Sequence, residues 1–382
     1  MRVVADQDIP YLRGVLEPYA EVQYLPGRAI RSADVRLADA LIVRTRTHCD
    51  AALLQGSAVR FIASATIGFD HIDTSYCDAH GIVWTNAPGC NSSSVRQYIG
   101  AALLHVAERR GLTLAGMTVG VVGVGNVGSK VAALCRALGM TVLLNDPPRA
   151  RREGVGDFVS LDDVIRRADF ITVHVPLQTD GPDRTLHLVD DAMLATLMPS
   201  QWLINTSRGD VVDGAALKTA LQHGRLAGCV LDVWEDEPAI DLELMARCDL
   251  ATPHIAGYSA DGKANGTAMS VQALSRQFGL GLDTWSPPDV PPPATPLLDI
   301  ADAGRTTQQQ IARAISATYD IVADDARLRA DPATFERQRT THPFRREFHN
   351  YAVAQAGLSP ELADRLVGIG FVLRETTTLT TR

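Results

Sequence analysis

Short apolar runs alternate with helical patterns over the first ninety residues of the chain. Four of these runs have the length of strands, and each is bounded by polar, glycine or proline residues. Alternation of this kind predicts a parallel sheet covered by helices, the doubly wound arrangement. The four predicted strands span residues 2–5, 40–43, 59–65 and 82–85.

A second series of apolar runs begins at Met117, after a long helical pattern at 93–110 that stops at Gly111. Val127, Val131 and Leu134 recur at helical spacing, which predicts a helix over 126–138. The strands around it read as continuous apolar runs, as expected where both faces of a sheet are covered. This is a second doubly wound unit, with predicted strands at 118–122, 141–145, 170–175, 202–206, 229–233 and 250–252.

The pattern changes after Trp285. Six of the ten residues from 287 to 296 are proline, which leaves too few amide donors for a helix or a sheet. Such a run predicts a stiff, extended linker, which we place at 286–296. The residues beyond it, 297–382, mix helix and strand patterns and are too many for a fraying terminus. We therefore predict a third, small α+β domain at the C-terminus.

Composition narrows the classes of protein that remain. Hydrophobic residues make up 46% of the chain and charged residues 21%, which excludes a disordered chain. No stretch approaches the roughly 18 apolar residues of a membrane span, and the charged start predicts no signal peptide. The net charge of -8 argues against a nucleic-acid partner. The six scattered cysteines predict reduced thiols in a cytoplasmic protein, with no metal site.

A glycine-rich segment, Gly123-Val124-Gly125-Asn126-Val127-Gly128, follows a predicted strand and opens the helix at 126. By itself this spacing is a weak signal, but the strand and helix around it support a dinucleotide site. The first glycine permits the tight turn, the second admits a pyrophosphate, and the third lets the helix pack close to the strand. Free amides and the helix dipole would then hold the anion.

Asp146 ends the next strand, eighteen residues after Gly128. A carboxylate there can accept hydrogen bonds from the adenosine ribose, and it would repel a 2′-phosphate. NAD is therefore favoured over NADP, although Arg149 lies close enough to complicate the choice. The alternative is that Asp146 is only a turn residue at a strand end.

Three further segments follow later strands, at the edge where open α/β sheets bind ligands. Arg208 directly follows one strand and suits a substrate carboxylate, the alternative being a surface ion pair. Asp232 ends the next strand and precedes an acidic loop, in which these residues alone do not distinguish one functional acid. His254 follows the last strand. A lone histidine there is usually structural, but beside a dinucleotide site it is a candidate general base, with an ordinary pKa of about 6.5.

These segments resemble the D-isomer-specific 2-hydroxyacid dehydrogenases, whose late signature motifs look like residues 206–212, 231–238 and 253–257. Further runs at 87–91, 146–149, 185–188, 252–258 and 343–348 resemble one member of that family. The resemblance implies a catalytic trio of Arg208, Glu237 and His254. It selects Glu237 over the neighbouring acids because that residue directly precedes Pro238.

The resemblance also implies the binding residues. Substrate contacts fall on Thr45, Thr66 and Tyr258. Together with the glycine-rich segment, the predicted NAD-binding residues are Gly123, Gly125, Asn126, Val127, Gly128, Asp146, Val175, Thr206, Ser207, Arg208, Asp232 and Gly257. We further expect Arg44 and Arg46, which flank Thr45, to bind a substrate phosphate. Arg96 has no assigned role.

The resemblance thus implies an NAD-dependent enzyme that oxidises the C2 hydroxyl of a small phosphorylated hydroxy acid without a metal. Residues 1–92 with 257–285 would form a flavodoxin-like substrate-binding domain, and 93–256 a Rossmann NAD-binding domain. The C-terminal domain would form a homodimer interface. The alternatives are another member of the family, such as one acting on 3-phosphoglycerate, or a non-enzymatic NAD-sensing corepressor.

Overall fold

The computed structural model describes residues 1–154 and 156–375. The chain forms two compact units. The first contains Met1–Asn91 and Tyr258–Pro291, and the second contains Ser92–Gly257 and the described residues from Pro292 onward. The boundary after Pro291 falls inside the proline-rich run, which carries neither helix nor strand.

The strands are β1 (Arg2–Asp6), β2 (Glu21–Leu25), β3 (Ala40–Val43), β4 (Phe61–Ser64), β5 (Val83–Thr85), β6 (Thr118–Val122), β7 (Thr141–Asn145), β8 (Phe170–Val173), β9 (Trp202–Asn205), β10 (Gly228–Leu231), β11 (Leu250–Ala251), β12 (Leu297–Leu298), β13 (Ala352–Ala354) and β14 (Val372–Arg374). The α-helices are α1 (Ser32–Val35), α2 (Ala51–Leu54), α3 (Thr74–Ala79), α4 (Ser92–Arg110), α5 (Asn126–Ala137), α6 (Pro147–Glu153), α7 (Leu161–Arg167), α8 (Asp191–Thr196), α9 (Gly214–Gln222), α10 (Leu242–Arg247), α11 (Ala260–Phe278), α12 (Thr307–Ser316), α13 (Ile321–Ala330), α14 (Phe335–Thr340) and α15 (Pro360–Ile369).

The first unit is a five-stranded parallel sheet in the order β2-β1-β3-β4-β5, which is the flavodoxin-type order. Every residue of β3 and β4 is buried, because both faces of the sheet are covered. The predicted strands are confirmed to within about two residues at each end. The prediction missed β2, an edge strand whose glutamate and glutamine interrupt the apolar run.

The second unit contains a six-stranded parallel sheet in the order β11-β10-β9-β8-β6-β7. A single parallel bridge, Leu144 to Phe158, adds one residue pair beyond β7. With that bridge, the order around β6 follows the Rossmann arrangement, in which the strand order reverses between β6 and β8. The predicted helices at 93–110 and 126–138 are confirmed as α4 and α5.

The C-terminal residues add a three-stranded parallel sheet in the order β12-β13-β14, together with four helices, and so confirm the predicted α+β character. They pack in one compact unit with 92–257. Gln97 of α4 donates to Thr318 Oγ1 at 2.9 Å and to the Arg346 carbonyl at 3.0 Å. Arg96, for which the sequence suggested no role, lies over the Phe348 ring at 5.7 Å from its centroid. This side of α4 is thus covered by the C-terminal residues.

Among the described residues, no helix has both the length and the apolar character required to span a bilayer.

Candidate active site

All six strands of the large sheet in the second unit run parallel, so their carboxyl ends meet at one edge. The predicted NAD-binding and catalytic residues of this unit lie just beyond those ends or in the turns that follow them. The strand order reverses beside β6, which is where doubly wound sheets bind a ligand. The fold therefore gathers residues that are far apart in the sequence.

The glycine-rich turn after β6 requires glycine at two positions. Gly123 has a φ of +85°, and a Cβ there would lie 2.7 Å from the carbonyl oxygen of His174. A Cβ on Gly128 would lie 2.0 Å from the carbonyl oxygen of Gly123. At Gly125, by contrast, a Cβ would meet nothing within 4 Å. The exposed Asn126 begins helix α5 and the half-buried Val127 follows it, so open space lies beside the free amides of the first turn.

Asp146 is tied to this turn. Its Oδ2 accepts a hydrogen bond from the Val124 amide at 2.8 Å, and its Oδ1 accepts one from the Arg149 amide at 2.9 Å. The Arg149 guanidinium pairs with Glu153 at 2.7 Å and donates to the Val124 carbonyl at 2.5 Å. Both carboxylate oxygens of Asp146 thus accept amide hydrogens, as the turn-residue alternative also requires, and the preference for NAD rests on the position of this carboxylate beside the glycine-rich turn.

The ends of β8 and β9 carry Val175, Thr206 and Ser207. His174 directly follows β8 and faces Thr206, which follows β9; no pattern in the sequence marked His174 as functional. Its Nδ1 is 3.4 Å from Thr206 Oγ1, and its Nε2 is 3.0 Å from Thr172 Oγ1. Loss of hydration lowers the pKa of His174, so the ring is neutral at physiological pH. His174 therefore helps to hold Thr206 in place, and only the folded strand pair reveals it.

His254 and Glu237 form a pair. His254 Nδ1 is 2.8 Å from Glu237 Oε2, and the other carboxylate oxygen accepts from the Trp234 amide at 3.0 Å. Burial raises the pKa of Glu237, but the charge and hydrogen bond of His254, the Trp234 amide and the charge of Arg339 together lower it below its ordinary value. A charged Glu237 fixes the ring with Nδ1 protonated, which leaves Nε2 to accept a proton.

The structure distinguishes the other acids of this loop from Glu237. Glu235 accepts from His187 Nε2 at 2.7 Å and from the Gly214 amide at 2.7 Å, while Asp236 is exposed. Among the acids of this segment, Glu237 is therefore the one that meets His254.

Asp232 is almost fully buried, at 1% exposure. Its Oδ1 accepts from the Ile255 amide at 2.8 Å and from Thr252 Oγ1 at 2.7 Å, and its Oδ2 accepts from the Ala256 amide at 2.8 Å. Burial raises the pKa of Asp232, against the opposing effect of His254 and of these hydrogen bonds. The carboxylate thus shapes the loop that carries His254 and leads to Gly257, and its contact with NAD stays a prediction.

Arg208 follows β9, and Asp232 follows the neighbouring strand β10. Its backbone carbonyl accepts from Asn205 Nδ2 at 2.8 Å, and its Nη1 donates to the Ser207 carbonyl at 2.8 Å. A Cβ on Gly209 would lie 1.9 Å from the carbonyl oxygen of Trp234, so the Arg208 turn packs directly against the backbone of the acidic loop. The structure therefore brings the segments of all three predicted catalytic residues to the same edge.

The remaining predicted residues belong to the first unit. Arg44 follows β3 and pairs with Asp6 at 2.9 Å and with Asp8 at 3.1 Å. Thr45 is exposed, and Arg46 is half-buried.

Thr66 follows β4, the strand next to β3, so it shares an edge of the sheet with these residues. Its hydroxyl is 2.8 Å from Ser64 Oγ and donates to the Gly68 carbonyl at 3.1 Å. Tyr258 begins the returning segment, with the Lys263 ammonium 5.0 Å from its ring centroid.

Comparison with known families agrees with this arrangement. Residues 95–256 match the model of the D-isomer specific 2-hydroxyacid dehydrogenase NAD-binding domain. Residues 290–370 match a domain of unknown function.

Curated relatives match nearly the whole chain. An erythronate-4-phosphate dehydrogenase from Bacteroides fragilis is 49% identical and covers 92% of this chain and 99% of its own. The corresponding protein from Porphyromonas gingivalis is 43% identical over 97% of this chain and 100% of its own. One from Pseudomonas putida is 42% identical over 98% of this chain and 100% of its own.

Solved structures show the same fold over the dehydrogenase core. A D-lactate dehydrogenase from Aquifex aeolicus, complexed with NAD and lactic acid, has a TM-score of 0.62 at 26% identity and covers 73% of this chain and 97% of its own. An NADPH-dependent glyoxylate/hydroxypyruvate reductase from Sinorhizobium meliloti has a TM-score of 0.63 at 29% identity and covers 73% of this chain and 95% of its own. The chain belongs to the D-isomer specific 2-hydroxyacid dehydrogenases, and among them to the family of erythronate-4-phosphate dehydrogenases.

The open space at Gly125 and the glycines at 123 and 128 fit the NAD that binds to this family of domains.

Two substitutions test separately whether a glycine is needed for packing of the turn or for binding of the cofactor. Gly128→Ala should lower both the melting temperature and the affinity for NAD, because its methyl group collides with the Gly123 carbonyl. Gly125→Ala should keep the melting temperature and weaken NAD binding alone, because its methyl group occupies only the open space.

Thermal unfolding and NAD titration by calorimetry measure both effects. Unchanged NAD affinity in Gly125→Ala would show that the pyrophosphate does not bind at this turn.

Proposed function

We propose that this enzyme uses NAD to oxidise the C2 hydroxyl of 4-phospho-D-erythronate, which yields (R)-3-hydroxy-2-oxo-4-phosphooxybutanoate. The observation that carries the proposal is the His254–Glu237 pair at 2.8 Å, at the sheet edge that also presents Arg208 and the glycine-rich turn. The relatives at 42–49% identity are erythronate-4-phosphate dehydrogenases, which supports this substrate. They do not favour 3-phosphoglycerate as the substrate or a non-enzymatic corepressor.

The chain's own residues have distinct tasks in this reaction. His254 Nε2 accepts the proton of the C2 hydroxyl, while Glu237 holds Nδ1 and stabilises the imidazolium that results. Arg208 binds the substrate carboxylate and stabilises negative charge that develops at the C2 oxygen. NAD, when bound, supplies the hydride acceptor. The residues Gly123, Gly125, Gly128, Asp146, Val175, Thr206, Ser207, Asp232 and Gly257, with Asn126 and Val127, hold the cofactor.

We assign the carboxylate and hydroxyl contacts of the first unit to Thr45, Thr66 and Tyr258, and the phosphate contacts to Arg44 and Arg46. Two carboxylates already hold the Arg44 side chain in a defined position. A guanidinium fixed in this way can donate to a phosphate without losing much further conformational entropy.

The reaction is tested by following NADH formation with 4-phosphoerythronate and with 3-phosphoglycerate. We expect turnover with the first and much less with the second. A second assay adds a 2-keto acid, which reoxidises tightly held NADH, and therefore follows the loss of 4-phosphoerythronate instead of NADH, so that slow product release does not hide the reaction. NAD binding without turnover of either acid would favour the corepressor.

Replacing His254 by alanine tests the general base. We expect kcat to fall by roughly 10²–10⁴, because the hydroxyl proton loses its acceptor. The affinity for NAD should change little. His223→Ala is the matched control, since His223 is exposed at the end of α9 and should leave kcat unchanged. Turnover like that of the unaltered enzyme in His254→Ala would exclude the role.

Replacing Arg44 and Arg46 by glutamine, one at a time, tests the phosphate site. The KM for 4-phosphoerythronate should rise about tenfold or more, as expected for losing a charged hydrogen bond. The weaker turnover of unphosphorylated D-erythronate should be unaffected. Arg36→Gln, at an exposed position after α1, is the control. Unchanged KM values in both variants would remove the two arginines from the site.

We further propose a role in pyridoxal 5′-phosphate biosynthesis, a cytoplasmic location and a homodimer formed through the C-terminal residues. All six cysteines are buried thiols, which suits a reducing compartment. The C-terminal surface exposes Leu297, Val367 and Val372, of which Leu297 and Val372 lie on the two edge strands of the small sheet. Sedimentation velocity should show a dimer, and Val372→Lys should shift the protein towards the monomer. A monomeric unaltered protein would contradict the interface.

A further inference from the structure

The run at 343–348 places a buried arginine where the proposed reaction does not call for one. Arg345 has only 4% of its surface exposed, although it lies ninety residues along the chain from the His254 loop. Burial of an arginine is costly unless its donors and its charge are answered. Its partners therefore indicate what the residue does.

All the hydrogen bonds found for the Arg345 side chain converge on one place. Its Nη2 donates to the carbonyl oxygen of Ala256 at 2.8 Å, to that of Ile255 at 3.1 Å and to Ser94 Oγ at 2.5 Å. Ser94 Oγ itself donates to the Ala256 carbonyl at 2.8 Å. Within the described chain, Nε and Nη1 make no hydrogen bond, and the guanidinium lies over the Tyr319 ring at 4.2 Å.

The same two residues are held from their other side by Asp232. Its carboxylate accepts the amide hydrogens of Ile255 and Ala256, whereas Arg345 and Ser94 donate to their carbonyl oxygens. Two consecutive residues are thus bound by an anion at their amide donors and by a cation and a hydroxyl at their carbonyl acceptors. We call the set Asp232, Ser94 and Arg345 the loop clamp.

The loop clamp holds the residues that directly follow the catalytic histidine. His254 has a φ of +57°, the left-handed conformation, which is unfavourable for an L-residue other than glycine. Such a conformation persists only when the surrounding contacts enforce it. The His254 amide donates to the Asp232 carbonyl at 2.7 Å, and the clamp then fixes the next two residues.

We propose that Arg345 is a positioning residue for His254: through the Ile255 and Ala256 carbonyls, it holds the imidazole in register with Glu237 and the reacting hydroxyl. This inference rests on the proposed role of His254 as the base. It gives the C-terminal residues, which match a domain of unknown function, a part in catalysis within their own chain.

The competing explanation is that Arg345 only attaches the C-terminal residues to the sheet. Arg329 provides the matched control, because it makes the same kind of attachment elsewhere. Its Nη1 donates to the Met245 carbonyl at 2.9 Å and its Nη2 to the Cys248 carbonyl at 2.9 Å. Those acceptors lie around α10, before β11 and away from the loop clamp.

The experiment compares Arg345→Met, Arg345→Lys and Arg329→Met in the full-length enzyme. For Arg345→Met, we expect kcat to fall about 10- to 100-fold, since a displacement of about 1 Å can cost that much. The Kd for NAD should stay within about twofold, because the glycine-rich turn is untouched. Arg345→Lys, which keeps a donor and the charge, should recover part of kcat. Arg329→Met should lower the melting temperature and keep kcat.

Hydrogen–deuterium exchange supplies a readout that does not depend on turnover. The Ile255 and Ala256 amides should exchange faster in Arg345→Met and at the unaltered rate in Arg329→Met. If the unaltered enzyme fails to oxidise 4-phosphoerythronate, the proposed function fails, while the exchange rates still decide whether Arg345 fixes the loop.

An unaltered kcat and unaltered exchange in Arg345→Met would overturn the proposal, as would an equal loss of kcat in Arg329→Met. If Arg345→Met does not fold, Ser94→Ala replaces it. That variant removes one member of the clamp, and its kcat should fall about fivefold, the effect of one hydrogen bond. Unchanged kcat and exchange in Ser94→Ala would then refute the clamp.

Discussion

The buried carboxylate of Asp232 is the constraint on which the catalytic edge depends. A carboxylate removed from water must be satisfied by donors, and those within reach are Thr252 and the Ile255 and Ala256 amides. Meeting that requirement folds the loop after β11 back onto the end of β10. The loop then carries His254 in a left-handed conformation and places its ring against Glu237.

Parallel strand ends supply the rest of the geometry. Because neighbouring strands run in one direction, the turns that follow them all emerge at one edge, whatever their separation along the chain. The glycine-rich turn, the Arg208 turn and the His254 loop therefore share that edge without direct links in the sequence. Close backbone packing sets their spacing, as the Gly209 contact with the Trp234 backbone shows. The apolar strands provide rigidity, and the polar turns provide the chemistry.

The C-terminal residues are a further case of a segment that is distant in the sequence and contributes to this edge. They complete the second unit by packing on α4 and by supplying Arg345 to the loop that Asp232 organises. Arg96, which falls in α4 where it has no evident task, covers Phe348 of the same run. The guanidinium of Arg96 on α4 therefore has its contact in the C-terminal residues, with the ring of Phe348.

Local signals in the sequence were sufficient for the alternating strands and helices, for the glycine-rich turn and for the choice of NAD. Apolar periodicity and the need for glycine at Gly123 and Gly128 act over a few residues, so they can be read without a structure. The edge strand β2 was missed because its side chains are partly polar. The family resemblance had already selected Glu237 over Glu235, and the tertiary structure supplied the reason, which is the contact of Glu237 with His254. Only the tertiary structure found His174 beside Thr206 and brought Arg345 to Ile255 and Ala256. These are contacts between distant segments, and they depend on three-dimensional packing that no local pattern encodes.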